Sequence, residues 1–226
     1  MKRGKKYNEA IKKFNPVSPY DLDEALKIVK SIAYAKFDET VDLSIKLNLK
    51  KSQSVRDTVV LPHQFRGDKK ILVFCKPEKE KEAQEAGATF TGADDLIEKV
   101  KGGWTDFDVA VATPDMMKDV GKLGMVLGRK GLMPNPKTGT VSFDIKGTLA
   151  ELKKGRVEFR ADKTGVMHLA VGKVSMEPEK VADNVKAVMT EVKRKRPIDV
   201  KGEFIQTVSV ASTMGPGVWV DFKDKD

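Results

Sequence analysis

The segment Phe204-Ile205-Gln206-Thr207-Val208-Ser209-Val210-Ala211-Ser212-Thr213-Met214-Gly215-Pro216-Gly217-Val218-Trp219-Val220 decides the architecture of this chain. Apolar residues alternate on both sides of the Gly-Pro-Gly break, which predicts two strands joined by residues 212–217. Two hydroxyls, a thioether and a glycine amide then lie together at a strand end. Such groups suit a sugar-phosphate backbone, because hydroxyls bond phosphate or 2′-OH oxygens and glycine has no Cβ to hold a partner away. An ordinary Gly/Pro turn is the alternative interpretation.

The composition favours an acidic polymer as the partner. The 226 residues include 42 Lys+Arg against 33 Asp+Glu, a net charge of +9, and residues 1–66 hold most of this excess. Nucleic acid is the commonest acidic polymer, and a merely well-solvated basic surface is the alternative. No apolar run is long enough to span a bilayer, and no apolar segment follows the basic N-terminus as in a secretory signal. The single cysteine, Cys75, can form no intramolecular disulfide, so we expect a cytosolic protein.

Two hydrophobic patterns divide the chain. Near both ends the apolar residues alternate, as in Val41 to Leu49, which predicts half-buried antiparallel strands. From Ile71 to Cys75 the run is continuously apolar, and strands then alternate with helices, which predicts a parallel sheet with helices on both faces. After residue 155 the alternating pattern returns, and residues 156–160 and 166–171 are predicted to form a hairpin around Asp162-Lys163-Thr164-Gly165.

The sequence contains no convincing catalytic or cofactor motif. The α/β pattern lacks both the Gly-x-Gly-x-x-Gly and the Gly-x-x-x-x-Gly-Lys-Ser/Thr phosphate loops, so a nucleotide cofactor is not expected. Asp162 to Gly165 resembles the phosphorylated segment of P-type ion pumps, but those need membrane spans, and turn chemistry explains the residues. His63 and His168 have no metal-ligand spacing to Cys75, which lies in an apolar strand. A binding protein without metal or cofactor, and not an enzyme, is predicted.

Several motifs together resemble the "L-one" family of ribosomal proteins, which belongs to the mobile side stalk of the large ribosomal subunit. They appear in family order and span nearly the whole chain: Ala35-Lys36-Phe37-Asp38-Glu39-Thr40-Val41, Phe107-Asp108 through Ala112-Thr113-Pro114-Asp115, Gly131-Leu132-Met133-Pro134-Asn135-Pro136-Lys137, Asp162-Lys163-Thr164-Gly165 and Thr213-Met214-Gly215-Pro216. One departure is Gly128-Arg129-Lys130-Gly131, where the family usually has Gly-Pro-Arg-Gly.

The resemblance implies an α/β (α+β) fold of two domains. Residues 1–66 and 160–226 would form a split β-α-β antiparallel sheet domain that binds RNA, and residues 67–159 an inserted Rossmann-like three-layer α/β domain. The implied partners are the stalk of the large-subunit ribosomal RNA, the protein's own messenger RNA, whose translation it would repress, and exit-site tRNA, whose release the stalk assists. A cytoplasmic protein on the ribosome, monomeric when free and without a membrane partner, is expected. A nonspecific RNA-binding or chaperone protein is the alternative.

The resemblance also implies the RNA-binding residues, which are Lys36, Phe37, Thr40, Asp162, Lys163, Thr207, Thr213, Met214 and Gly215. The apolar side chains would pack on sugars or base edges, the threonines would bond 2′-OH and phosphate oxygens, and Gly215 would allow close approach. Lysines would supply charge, and Asp162 would orient a neighbour or accept a 2′-OH proton. A secondary RNA or tRNA contact is expected from Arg129, Lys130 and Lys137, placed on an exposed loop by the glycines and prolines around them.

Overall fold

The computed structural model describes residues 3–50, 53–65, 67, 69–197, 200 and 202–222, apart from the side chain of Lys137. The helices are α1 Lys5–Ile11, α2 Leu22–Ile32, α3 Pro77–Glu85, α4 Asp94–Lys101, α5 Met117–Val120, α6 Gly124–Lys130, α7 Ile145–Lys153 and α8 Pro178–Arg194. The strands are β1 Thr40–Leu47, β2 Arg56–Val60, β3 Ile71–Phe74, β4 Phe90–Gly92, β5 Val109–Ala112, β6 Arg156–Arg160, β7 Val166–Lys173, β8 Ile205–Ser212 and β9 Val218–Val220. Short 3-10 turns cover Pro114–Met116, Gly121–Leu123 and Pro136–Thr138.

The chain divides into two compact units. The first unit comprises residues 1–65 and 157–226, and the second comprises residues 66–156. The sequence placed the boundaries after residues 66 and 159, whereas the units divide after residues 65 and 156. The second proposed boundary falls inside β6, whereas the division after Arg156 keeps most of that strand in the unit of its partner, β2.

The first unit is built on a four-stranded antiparallel sheet in the order β7-β1-β8-β9. The central strand β1 alternates strictly between half-buried and buried residues, as its sequence pattern predicts. The inward side chains join one core with the apolar faces of α2 and α8, including Leu43, Ile45 and Val185. Burial of this face fixes the register, since a slip of one residue would turn every core side chain to solvent. The opposite face of the sheet is therefore the surface left for function.

The predicted hairpin between residues 156–160 and 166–171 is wrong. β6 pairs with β2, while β7 pairs with β1, so the two strands belong to different sheets. The Asp162 carboxylate accepts the N–H of Val166 at 2.8 Å. The Asp162 N–H donates to the Val166 carbonyl at 2.9 Å, but the next N–H, that of Ala161, donates to the carbonyl of Val55, so the two strands diverge directly beyond the turn. The turn itself, from Asp162 to Gly165, forms as predicted.

The second unit has a parallel sheet in the order β4-β3-β5. Every residue of β3 is buried, as its continuous apolar run predicts. Leu72 and Phe74 enter one core and Ile71 and Val73 another, so helices cover both faces of the sheet. This is the three-layer α/β arrangement expected from the alternation of strands and helices.

Gly165 provides a test of the turn that starts β7. Its φ is +79°, and a Cβ there would lie 2.8 Å from the carbonyl oxygen of Leu47. We expect Gly165→Ala to lower the free energy of unfolding by about 2–4 kcal/mol, because left-handed strain and collision add. Gly202, with φ +77° and open space around the Cβ position, is the matched control. Gly202→Ala should lose about 1 kcal/mol in the same urea titration, and equal losses would mean that the approach to Leu47 is unimportant.

Candidate nucleic-acid interface

The first group of predicted residues lies where β1 begins and β8 ends. Thr213 donates its N–H to the carbonyl of Thr40 at 3.0 Å, and its Oγ1 accepts the Thr40 N–H at 2.9 Å. The same hydroxyl lies 3.2 Å from the Thr40 carbonyl oxygen. The Thr213 side chain therefore extends the strand pairing by one step. This fixes the segment that carries Met214 against the segment that precedes β1.

A buried carboxylate connects these two segments. The side chain of Glu39, a residue only 1% exposed, accepts the N–H groups of Tyr34 at 3.1 Å and Ala35 at 2.8 Å on one oxygen. Its other oxygen accepts the N–H of Met214 at 3.1 Å. The Ser212 hydroxyl also neighbours the carboxylate, outside strict hydrogen-bonding geometry. One carboxylate thus organises backbone from the loop before β1 and from the segment after β8.

The pKa of the Glu39 carboxyl is lowered despite its burial. Burial disfavours the charged form and by itself would raise the pKa. The neighbouring Ser212 hydroxyl and the three backbone N–H groups stabilise the charge and outweigh burial. The carboxyl is therefore ionised at neutral pH, and its hydrogen bonds are of the stronger, charge-assisted kind.

This frame presents apolar side chains to solvent. Phe37 is 56% exposed and Met214 is 51% exposed. Lys36 is also exposed, and the Tyr34 hydroxyl donates to the carbonyl of Met214 at 2.7 Å. A Cβ at Gly215 would collide with the Ser212 hydroxyl, so a larger residue there would force the Ser212 side chain to move. Large apolar groups held outward on a bonded frame are typical of a binding surface.

The second group of predicted residues lies at the opposite end of the sheet. Thr207 pairs with Lys46, which lies six residues along β1 from Thr40, or roughly 20 Å in an extended strand. The Lys46 ammonium donates to the carbonyl of Thr164, next to the exposed Lys163. The predicted residues therefore form two groups, both reached from the outward face of the sheet, and not one compact cluster.

Asp162 holds its own turn together. Its carboxylate accepts the N–H and hydroxyl of Thr164 at 2.8 and 2.7 Å, as well as the N–H of Val166. The Thr164 hydroxyl, followed by the backbone N–H groups, lowers the pKa of this carboxyl. This geometry favours the orienting role of Asp162 over that of an acceptor for RNA.

The predicted secondary contact belongs to the second unit, and its expected loop is wrong in part. Arg129 and Lys130 are exposed but form the last turn of α6, which ends at Gly131 with φ +70°. Leu127 is the buried residue of α6, and the short helix and 3-10 turn that precede it are anchored by the buried side chains of Val120 and Leu123. The backbone of Lys137 lies in the 3-10 turn Pro136–Thr138, and its side chain lies outside the described residues.

The described residues also bear on a role in metal binding, membrane insertion or thiol chemistry. Within them, no group of three or more His, Cys, Asp or Glu is arranged to hold a metal ion. No helix in the described ranges has the length and apolar character of a membrane span. Burial raises the pKa of the Cys75 thiol, which makes it a poor nucleophile. His168 bonds Ser44 at 3.0 Å, and His63 faces Asp183 at 3.4 Å.

Sequence reasoning missed Glu39 and Tyr34. It also grouped the Ser212 hydroxyl with that of Thr213 as a group for the sugar-phosphate backbone, whereas Ser212 is buried. Glu39 is two residues before Val41 and in phase with the buried positions of β1, so the alternation places it on the inner face. Ser212 is likewise in phase with the buried Val208 and Val210. A charged or polar residue in phase with core positions was the available signal, since such a group must find internal partners.

Glu39→Gln tests the buried carboxylate. The amide turns a donor toward at least one of the N–H groups, so we expect a loss of about 1–3 kcal/mol in the free energy of unfolding at neutral pH. Because the folded pKa is lowered, the stabilisation is present above the unfolded value of about 4.3 and is lost as the pH falls through the folded value. Urea titrations from neutral pH to about pH 3 should therefore show the two proteins converging. Glu9→Gln, at an exposed site, is the control, and a difference independent of pH would contradict an ionised Glu39.

Comparison with known proteins agrees with the motifs. The sequence matches the Ribosomal protein L1p/L10e family over residues 29–216. It is similar to the Large ribosomal subunit protein uL1 of Treponema denticola, with 64% identity over 223 residues that cover 99% of each chain. Proteins of the same name from Treponema pallidum and Borrelia hermsii are each 57% identical, with coverage of 98% or more of every chain. On the family match and these full-length similarities, the chain belongs to the ribosomal protein L1p/L10e family.

Proposed function

We propose that this protein is a constituent of the large ribosomal subunit that binds the stalk region of the large-subunit ribosomal RNA. The names of the relatives and the family membership support the ribosomal assignment. This places it on the ribosome in the cytoplasm, as a binding protein rather than an enzyme. The observation that supports RNA binding most directly is the frame around Glu39, which holds Phe37 and Met214 exposed at one end of the sheet.

The chemistry of the site suits structured RNA. Phe37 and Met214 offer apolar surface to sugars and base faces, while Lys36 supplies charge beside them. Structured RNA is recognised through shape, 2′-OH groups and backbone more than through base edges in its deep groove. The Thr213 hydroxyl is already bonded to Thr40, so in this proposal it acts mainly by fixing the surface and accepts from RNA through a remaining lone pair.

Two finer roles follow from the same site. We infer that it also binds a similar fold in the protein's own messenger RNA, which would repress translation when the ribosomal RNA is saturated. Because both RNAs would occupy the outward face of one sheet, their binding must be mutually exclusive. Assistance to release of deacylated tRNA from the exit site is proposed for the assembled stalk, with the protein acting through its hold on the ribosomal RNA.

A nonspecific nucleic-acid binder is the competing function, favoured by the net charge of +9. Such binding would be almost wholly counterion release and would lose orders of magnitude over a few-fold rise in salt. Contacts made by Phe37 and Met214 depend little on salt. Binding to the stalk RNA, measured at low and high salt against a random structured RNA, therefore separates the two.

Phe37→Ala and Met214→Ala test the proposed site. Each should weaken binding to a stalk RNA fragment by at least about tenfold at high salt, a loss near 1.4 kcal/mol, because apolar contact with the RNA is removed. Phe143→Ala is the matched control, since Phe143 is 60% exposed in the second unit. Thermal unfolding should be unchanged in all three.

Thr213→Ser, which keeps the hydroxyl bonded to Thr40, should bind nearly as the wild type does. Unaltered affinity in folded Phe37→Ala and Met214→Ala proteins would refute this site.

The secondary contact is proposed to be electrostatic. Replacing Arg129 and Lys130 together by alanine should reduce the slope of log affinity against log salt by about one for each phosphate that these side chains neutralise, without changing the preference for stalk RNA. Replacing Lys99 and Lys101, exposed lysines of the same unit, makes the same change in charge. An equal reduction of slope in both double variants would show that net charge, and not a contact at α6, is responsible.

A further inference from the structure

The outward face of the sheet carries an unusual row of side chains midway between the two groups of predicted residues. In the strand register, His168 of β7 lies beside Ser44 of β1, Ser44 lies beside Ser209 of β8, and Ser209 lies beside Trp219 of β9. The Ser44 hydroxyl bonds His168 Nδ1 at 3.0 Å. Three strand spacings separate the ends of this row, or about 14 Å.

Small residues adjoin the row on the side of Asp42, and Lys46 lies on its other side. We call the row together with these small residues the trough. The neighbouring outward positions beside Asp42 are Ala170 and Ala211, so little side chain rises from the centre of the sheet. His168 on β7 and Trp219 on β9 are the bulky, exposed side chains at its two sides.

Trp219 stands out from its own strand. It lies between the buried residues Val218 and Val220 yet is 42% exposed. It lines a groove of about 710 Å³ together with Thr207, Gln206 and Val17. Thr207 is one of the predicted RNA-binding residues, so the groove continues the proposed interface. The Glu203 carboxylate also lines the groove and disfavours a phosphate there, so an uncharged base is the better fit.

We propose that the trough seats a strand of the bound RNA and that an unpaired base of that strand stacks on the indole of Trp219. The inference rests on the proposed function, because an RNA that touches both Thr213 and Thr207 must pass over the row between them. Aromatic side chains bind unpaired bases by stacking, and tryptophan offers a wide face. The serine hydroxyls of the trough then face the sugar of the same nucleotide, where they can bond the 2′-OH.

Tryptophan fluorescence gives a direct test. The chain contains two tryptophans, and Trp104 packs edge-on against Phe90 in the second unit, with ring centroids 4.9 Å apart. In a Trp104→Phe protein the emission comes from Trp219. Titration with a large-subunit stalk RNA fragment should quench it in proportion to the RNA bound, and a hairpin with a fully paired stem and a random sequence should quench it little.

Affinity measurements complete the test. Trp219→Ala should bind the stalk fragment roughly 5- to 150-fold more weakly, the range for loss of one stacked base, and Trp219→Phe within about threefold of wild type. Phe143→Ala again serves as the control.

Normal affinity of Trp219→Ala together with unquenched emission would overturn the stacking inference and leave the proposed function standing. Absence of selective binding by the wild-type protein would instead overturn the proposed function. Quenching by an apolar peptide but not by RNA would assign the groove to a protein partner and also overturn the inference.

Discussion

The Glu39 carboxylate is the interaction on which the candidate interface depends. Removing a charge from water is costly, and the cost is met here by N–H groups from residues on two distant parts of the chain. The bond to Met214 spans 175 residues of sequence, and the nearby bond from the Tyr34 hydroxyl spans 180. The loop that carries Phe37 is therefore held by hydrogen bonds to a segment from the other part of the first unit. The surface is a property of the complete first unit and of neither terminal segment alone.

Much of the fold follows from the periodicity of the hydrophobic residues. The predicted pairing of β6 with β7 is wrong because the partner of β6 lies far away in the sequence. Strict alternation predicted β1 and β8, and the continuous apolar run predicted the fully buried β3. The same reasoning joined β6 to β7 because only five residues separate them and a turn motif lies between. Period and turn chemistry identify a strand and its ends, but they hold no information on a partner about one hundred residues earlier. The position of β2 beside β6 is decided by packing across the whole core.

The candidate site was less predictable from the sequence pattern than the fold. The position of Met214 at a strand end indicated a backbone contact, but Phe37 was assigned to the site only through family resemblance, since an exposed apolar residue has no signal in a single sequence. Glu39 was missed and Ser212 was placed on the surface, although both lie in phase with the buried positions of their strands. Treating charge as a mark of the surface hid that phase. A carboxylate on the inner face requires nearby donors, and the donors come from the two segments already suspected of binding RNA.

The internal bonds of the site bear on how it can discriminate among RNAs. Several polar groups of the predicted set, including Thr213 and Asp162, already bond the protein's own backbone, and Lys46 beside them does the same. Groups held in place before binding lose little conformational entropy when the RNA arrives, so more of the contact energy contributes to affinity. A surface held in this way would also disfavour an RNA whose shape differs, because an adjustment of the loops would break these internal hydrogen bonds. In the proposed function, selectivity for the stalk RNA would therefore come from the fixed arrangement of apolar and small polar side chains, and the net positive charge would attract RNA of any sequence.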